Sequence, residues 1–164
     1  MSLIVEDGTE VSGAESYVTV ADALTYHANL GNSTWATLTT TQQEQALRRA
    51  TNYMLQVYGP KWSGVRMTST QSLDWPRSGA YAHGFAIATN VVPEAVQNAC
   101  ADLALRAAAG ELLSDRKRAK VRVKVDVIET EYDRFASHAT KYEAVEAMLN
   151  PYFKNVSGVE MIRV

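Results

Sequence analysis

The chain has 164 residues, which suits one domain with a single buried core. Its 16 Lys and Arg side chains are outnumbered by 18 Asp and Glu, so the composition argues against wholesale wrapping of nucleic acid. The single cysteine excludes an internal disulfide framework, and no apolar run is long enough to cross a membrane. We therefore expect a soluble protein made inside the cell, with no membrane partner.

The first predicted helix lies in the stretch SYVTVADALTYHANLG. Its apolar positions recur at spacings of three and four, which places them on one helix face, and Gly31 ends the pattern. They are Val20, Ala23, Leu24, His27 and Leu30. A histidine on such a face is interpreted as a packed, hydrogen-bonded core residue.

The second predicted helix begins in the run TLTTTQQEQ. Thr40 and Thr41 are each followed three residues later by Gln43 or Glu44, which is the spacing of a capping box. Leu47, Ala50, Met54 and Val57 then recur at helical spacing, and Gly59 with Pro60 ends the helix.

The region from 59 to 92 has no periodicity, and glycines and Pro76 interrupt it repeatedly. It is nevertheless rich in aromatic residues, which disordered segments lack, so we expect an ordered loop. Trp62, Leu73, Trp75 and Pro76 are assigned to packing on the core, with Trp75 resting on helix two or three. Tyr81 and Phe85, at the far end of the loop, are candidates for an interface. Asp74 and Arg77 are close enough in sequence for a local salt bridge.

A third helix is predicted from the stretch VVPEAVQNACADLALRAAAG. Pro93 suits the first turn and Glu94 suits the positive end of the helix dipole. The apolar face comprises Val96, Cys100, Leu103 and Ala107. The many alanines allow close approach of other helices, so we expect this helix at the centre, with Cys100 as a buried structural thiol.

Alternating residues near position 119–132 predict a β arm. Its apolar positions, Val121, Val123, Val125 and Val127, are candidates for a subunit interface, because a lone amphipathic strand needs a partner. One long strand and a hairpin both remain open. The basic residues Lys120, Arg122 and Lys124 are possible contacts to DNA or to a channel. A solvated face or a subunit contact is favoured, since no aromatic ring is interleaved with them.

A last helix, TKYEAVEAMLNPYF, carries Tyr142, Val145 and Leu149 on one side and is ended by Pro151. The tail that follows is apolar at its end and needs a surface on which to dock. The tail residues assigned to docking are Val159, Met161, Ile162 and Val164. We predict one helical domain over 1–157 and a docking tail over 158–164.

Residues with catalytic chemistry are scattered. His27, His83 and His138 stand in different elements without other ligands at metal-binding spacing, and no nucleophile or phosphate-loop motif occurs. The sequence therefore predicts no enzyme, no cofactor and no metal. The predicted fold is mainly α: a small bundle of about four helices with a long ordered loop and a β-strand or β-hairpin arm.

One ordered set of residues carries a resemblance that covers nearly the whole chain. The set is Tyr17, Trp62, Gly64, Arg66, Gln71, Leu73, Trp75, Pro76, Arg77 and Pro93. With it, the chain resembles a family of small tailed-phage proteins often labelled DnaT-like single-strand binding proteins, which are similar to head-tail adaptor, or connector, proteins.

The resemblance implies a structural virion protein, assembled in the host cytoplasm and placed in the virion neck. It would form a homo-oligomeric, dodecameric ring below the portal and join the DNA-filled head to the tail. Implied partners are the portal protein, on which residues 159–164 would dock, the next connector, stopper or tail protein, and packaged DNA in the channel. No enzyme activity is implied. The alternative is a DnaT-like single-stranded DNA binding replication accessory protein.

Overall fold

A computed structural model describes residues 2–113, 122–125, 128–131 and 141–154. Within these residues, four α-helices pack around one apolar core: α1 Val20–Asn29, α2 Thr40–Val57, α3 Glu94–Ala109 and α4 Glu143–Leu149. Three two-stranded antiparallel ladders accompany them. Their strands are β1 Val65–Arg66, β2 Arg77–Ser78, β3 Tyr81–Ala82, β4 Phe85–Ala86, β5 Arg122–Val125 and β6 Ile128–Glu131. The prediction of a mainly helical domain with a β arm is confirmed.

Helix α3 lies at the centre of the bundle, where it packs against α1, α2 and α4. Four of its alanines, Ala99, Ala101, Ala104 and Ala107, are fully buried, and small side chains let neighbouring backbones approach closely. The rest of the predicted apolar face of α3 is buried as well.

The N-cap of helix α2 lies one residue before the first predicted cap. Thr39 is the N-cap: its hydroxyl accepts from the Gln42 amide at 3.3 Å, while the Gln42 side chain accepts from the Thr39 amide at 2.9 Å. The prediction of Thr40 or Thr41 was wrong because Gln43 is not free to complete a box. Its buried side chain donates to the Trp35 carbonyl at 2.9 Å instead.

The predicted apolar face of α1 is only partly buried. Ala23 and His27 are fully buried, whereas Leu24 and Leu30 are 40% and 57% exposed. These two leucines belong to the predicted face but lie outside the core. The core side of this short helix is a narrow strip, which lies against α3, α2 and the turn of 3₁₀-helix Ser33–Thr37.

The β arm is a hairpin rather than one long strand. Strands β5 and β6 pair in register, with Arg122 opposite Glu131 and Val125 opposite Ile128. Val, Ile and Thr favour extended backbone, which supports strands over these two segments. Lys120, Val121, Val127 and the predicted docking tail over 158–164 lie outside the described residues. No helix in the described ranges is long and apolar enough to span a bilayer.

Candidate nucleic-acid interface

The loop between α2 and α3 is held together by a buried arginine. Arg77 is 5% exposed, and its guanidinium donates to three main-chain carbonyls: those of Ser63 at 2.8 Å, Gly64 at 2.8 Å and Asp74 at 3.1 Å. These bonds join residues from both sides of the β1–β2 ladder. Arg77 is thus committed to the backbone of its own loop and offers no group to a phosphate.

A second set of side chains closes the turn between β1 and β2. Arg66 donates to the main-chain carbonyls of Gln71 and Leu73. The side-chain amide of Gln71 donates to the main-chain carbonyls of Leu73 at 2.7 Å and Pro76 at 3.1 Å. The Tyr17 hydroxyl accepts from the Asp74 amide at 3.0 Å and ties the turn to the N-terminal segment. Four of the residues that carry the family resemblance, Tyr17, Arg66, Gln71 and Arg77, therefore hold the loop together.

The predicted Asp74–Arg77 salt bridge was wrong. Asp74 pairs with Arg66, whose Nε lies 3.9 Å from the carboxylate, while Arg77 contacts only the main-chain oxygen of Asp74. The reason is that the Arg77 donors are directed to carbonyls. Burial raises the pKa of Asp74, and the positive charges of Arg66 and Arg77 oppose that rise.

The tryptophans of the loop lie in the core. Trp62 and Trp75 are fully buried, and their rings meet edge to face at 5.7 Å between centroids. Leu73 and Pro76 are buried beside them. The other ring neighbour of Trp75 is Tyr152, at 6.2 Å, so its aromatic contacts lie on the loop and the C-terminal segment.

From this packed base, strands β3 and β4 project as a small hairpin. His83 and Gly84 form its two-residue turn with φ values of 52° and 83°, as a type I′ turn requires. Tyr81 is 58% exposed and Phe85 is 77% exposed. The register pairs Tyr81 with Ala86 and Ala82 with Phe85, so the two rings belong to opposite faces of the ribbon. Each ring therefore offers a separate surface on which a planar group can stack.

Two lysines that the sequence did not single out lie on segments beside the base of this hairpin. Residues 61–63 and 152–154 pair with each other: the Lys154 amide donates to the Lys61 carbonyl at 2.7 Å, and the Ser63 amide donates to the Tyr152 carbonyl at 2.9 Å. The Ser63 hydroxyl contacts the Tyr81 carbonyl at 3.4 Å. Both lysines are exposed. Only the folded chain brings residue 154 next to residue 61, so no local sequence signal could identify this pair.

Several other cations of the bundle are engaged with carboxylates. Arg48 pairs with Glu15 at 2.9 Å, and Arg106 pairs with Asp102 at 3.6 Å. Lys61 itself lies 3.6 Å from Glu146. The positive charge near the hairpin is therefore modest, and exposed aromatic area is its more distinctive feature.

The predicted core histidine and thiol are placed where they serve packing. The His27 Nε2 lies 3.0 Å from the Ala101 carbonyl, and burial lowers the pKa of this imidazole. Burial raises the pKa of the Cys100 thiol, which contacts the Thr51 hydroxyl at 3.4 Å. Within the described ranges, no three His, Cys, Asp or Glu side chains are arranged to hold a metal ion.

Comparison with known families gives a match over residues 1–164 to a family described as putative DnaT-like ssDNA binding protein. No curated protein and no solved structure matches the chain.

This match overturns the main functional prediction. A head-tail adaptor in the virion neck, with portal and tail proteins as partners, was wrong, because the family description names single-stranded DNA binding and not a connector. It supports the alternative reading, with DNA as partner, and it describes binding rather than catalysis. The chain belongs to the family of putative DnaT-like ssDNA binding proteins.

Proposed function

We propose that this protein binds single-stranded DNA with little sequence preference, and that the β3–β4 hairpin stacks unpaired bases on Phe85 and Tyr81. The observation that carries the proposal is the high exposure of two aromatic rings on a hairpin with a rigid base, in a chain of this family. Every base has a π face, so stacking of this kind tolerates any sequence.

The backbone of the hairpin is hydrogen-bonded at its base. The Ile87 amide donates to the Ala80 carbonyl at 2.9 Å, which closes the hairpin, and the Ser63 hydroxyl donates to the Tyr81 carbonyl at 3.4 Å, which joins it to the loop. A ring carried on an ordered backbone loses less conformational entropy when a base stacks on it than a ring on a disordered segment would. Duplex DNA offers no free base face, and so should bind more weakly.

Phosphate contacts complete the proposed interface. Lys154 is exposed, and among the described residues its ammonium reaches only the Pro60 carbonyl, at 3.4 Å. Lys61 is 45% exposed and shares Glu146, which limits its free charge. We assign these two lysines to contacts with the DNA phosphates and the two rings to contacts with the DNA bases.

The arm cations Lys120, Arg122 and Lys124 are the competing location for DNA contacts. The register of the arm places Glu131 opposite Arg122 and Glu129 opposite Lys124. Carboxylates at these positions reduce the local positive potential, which is the main attraction for a phosphate chain. The aromatic hairpin is therefore the better-supported interface.

The proposal is tested by measuring the affinity of Phe85 variants for a fluorescent single-stranded oligonucleotide. Phe85→Ala and Phe85→Leu should weaken binding by about 5- to 150-fold, since stacking on one base contributes roughly 1–3 kcal/mol. Phe85→Trp should bind at least as well as the wild type because it keeps a π face. Leu30→Ala, which alters an exposed apolar residue at the C-cap of α1, is the control and should have no effect.

Salt titration separates the two kinds of contact. Lys154→Ala should reduce the slope of log affinity against log salt by about 0.7, the value for one phosphate of a single strand. Lys61→Ala should reduce it by less, because Lys61 shares its charge with Glu146. Phe85 variants should leave that slope unchanged. If Phe85→Ala binds like the wild type while the Lys120→Ala, Arg122→Ala, Lys124→Ala triple variant does not bind, the interface lies on the arm and the proposal fails.

A further inference from the structure

The two strands of the arm carry opposite charges. The cations Arg122 and Lys124 both lie on β5, and the carboxylates Glu129 and Glu131 both lie on β6. The register places these four residues on one face of the hairpin, opposite one another in pairs. The alternation of a β-strand places Val123, Val125 and Ile128 on the other face. The hairpin thus has a basic edge and an acidic edge.

Both edges of the arm are open within the described residues. β5 and β6 form a two-stranded sheet and pair with no other described strand. A free strand edge presents unpaired N–H and C=O groups, and an isolated two-stranded hairpin is marginally stable in water. Proteins block such edges with inward-pointing charges, bulges or prolines, or they pair them.

We propose that the arm pairs with the arm of a second copy of this chain, β5 of one copy lying beside β6 of the next. In that arrangement the basic edge of one copy meets the acidic edge of the next, just as the basic strand β5 meets the acidic strand β6 inside each hairpin. Pairing of β5 with β5, or of β6 with β6, sets like charges against each other across the new ladder, which is unfavourable. Charge complementarity thus selects the head-to-tail arrangement over a symmetric one.

Head-to-tail contacts leave one basic edge and one acidic edge free at the ends of every assembly that does not close into a ring, so further copies can add. Copies that lie side by side on one DNA strand would bind it cooperatively, as proteins that bind single-stranded DNA commonly do. The arm contact itself does not rest on DNA binding and can be measured without DNA.

The decisive variant exchanges the charges of the two strands: Arg122→Glu, Lys124→Glu, Glu129→Lys and Glu131→Arg. Every cross-strand pair inside the hairpin stays oppositely charged, so the arm keeps its internal complementarity. Wild type and charge-exchanged protein are labelled with different fluorophores, and association within and between the two is measured by sedimentation velocity and energy transfer. Circular dichroism and thermal unfolding verify that both proteins are folded.

We expect each protein to associate with itself with a similar dissociation constant. Association between the two should be about tenfold weaker, because β5 of either one then meets a β6 of like charge. The difference should shrink as salt screens the charges.

Three results would overturn the inference. A wild type that stays monomeric at high micromolar concentration removes the contact, and equal association within and between the two proteins shows that the arm edges are not the contact. Stronger association between them than within them indicates symmetric β5–β5 or β6–β6 pairing. A wild type that does not self-associate but binds DNA through Phe85 would leave the proposed function standing. A wild type that self-associates through the arm but does not bind DNA would leave the arm contact standing.

Discussion

At the scale of single residues, the loop arginines have a structural role. Arg77 and Arg66 direct their donors to five main-chain carbonyls of their own loop. A carbonyl left without a donor in a buried loop costs free energy, so a guanidinium with five N–H groups is an efficient way to satisfy several at once. The basic residues of this chain are therefore not all candidates for phosphate contacts.

His27 is another residue whose role follows from its surroundings. The centroid of its ring lies 5.1 Å from that of Trp35. Its Nε2 faces the Ala101 carbonyl, and its Nδ1 lies 3.4 Å from the side-chain amide nitrogen of Asn32. Burial and the charge of Arg106 lower the pKa of His27, while the Ala101 bond and the charge of Asp102 oppose that shift. Burial is the largest contribution, so the neutral imidazole is the form that the fold prefers.

We predict that His27 makes the protein less stable in mild acid. Its folded pKa lies below the unfolded value of about 6.5, so the unfolded chain binds the proton first as the pH falls. The stabilisation is complete above about pH 6.5 and is lost as the pH falls from there towards the folded pKa. Urea unfolding at a series of pH values should show a steeper decline for the wild type than for His27→Gln, which cannot titrate. Parallel curves would contradict the assignment.

At the scale of elements, the sequence pattern predicted the helices well and the caps less well. The spacing of Leu47, Ala50 and Met54 identified the buried side of α2, because a regular period of 3.6 depends on local geometry alone. Whether Gln42 or Gln43 completes the capping box depends on Trp35, which needs a donor for its carbonyl. A contact with another element decided that detail, so local sequence could not.

The β1–β2 ladder depends on a glycine that packs against backbone. Gly64 has φ of 67°, and a Cβ there would lie 2.4 Å from the Ser78 carbonyl oxygen. Gly79 has nearly the same φ, 65°, and a Cβ there would meet nothing within 4 Å. A side chain at either position would have the same cost of left-handed backbone. The two positions differ only in the room that is available for a Cβ atom.

We predict that Gly64→Ala destabilises the fold more than Gly79→Ala. Left-handed backbone should cost both variants about 1–2 kcal/mol, and the close contact should add about 1–3 kcal/mol at position 64. The free energy of unfolding in urea, measured for both variants and the wild type, tests the difference. Equal losses would mean that the Ser78–Ala80 backbone moves aside at little cost.

At the scale of the whole molecule, the C-terminal segment closes the structure over the aromatic loop. The Phe153 ring lies 5.1 Å from Trp62 and 5.7 Å from Tyr58, and its backbone bridges to Trp62. This contact joins residues about 90 positions apart and holds Lys154 beside Lys61. The same contact therefore supports both the core and the charged border of the proposed DNA interface.

We predict that Phe153→Ala lowers the free energy of unfolding by about 2–3 kcal/mol, somewhat less than for a fully buried phenylalanine, because the ring is only partly buried. Its loss should also expose Trp62 to solvent, which would shift the tryptophan fluorescence to longer wavelength in the folded protein. Leu113→Ala, at a side chain 55% exposed, should change stability by less than about 0.5 kcal/mol. An unchanged fluorescence maximum together with unchanged stability would show that the segment does not close over Trp62.

The sequence by itself determined the helical class, the four helices, the strand character of the arm and the family, because each rests on local periodicity or on an ordered set of residues. The tertiary structure decided which residues those patterns place in contact. It exposed Leu24 and Leu30, turned Arg66 and Arg77 towards their own loop, paired β5 with β6 and brought Lys154 next to Lys61. These outcomes depend on the path of the chain between distant segments, since burial and pairing are set by whichever surface arrives opposite a residue.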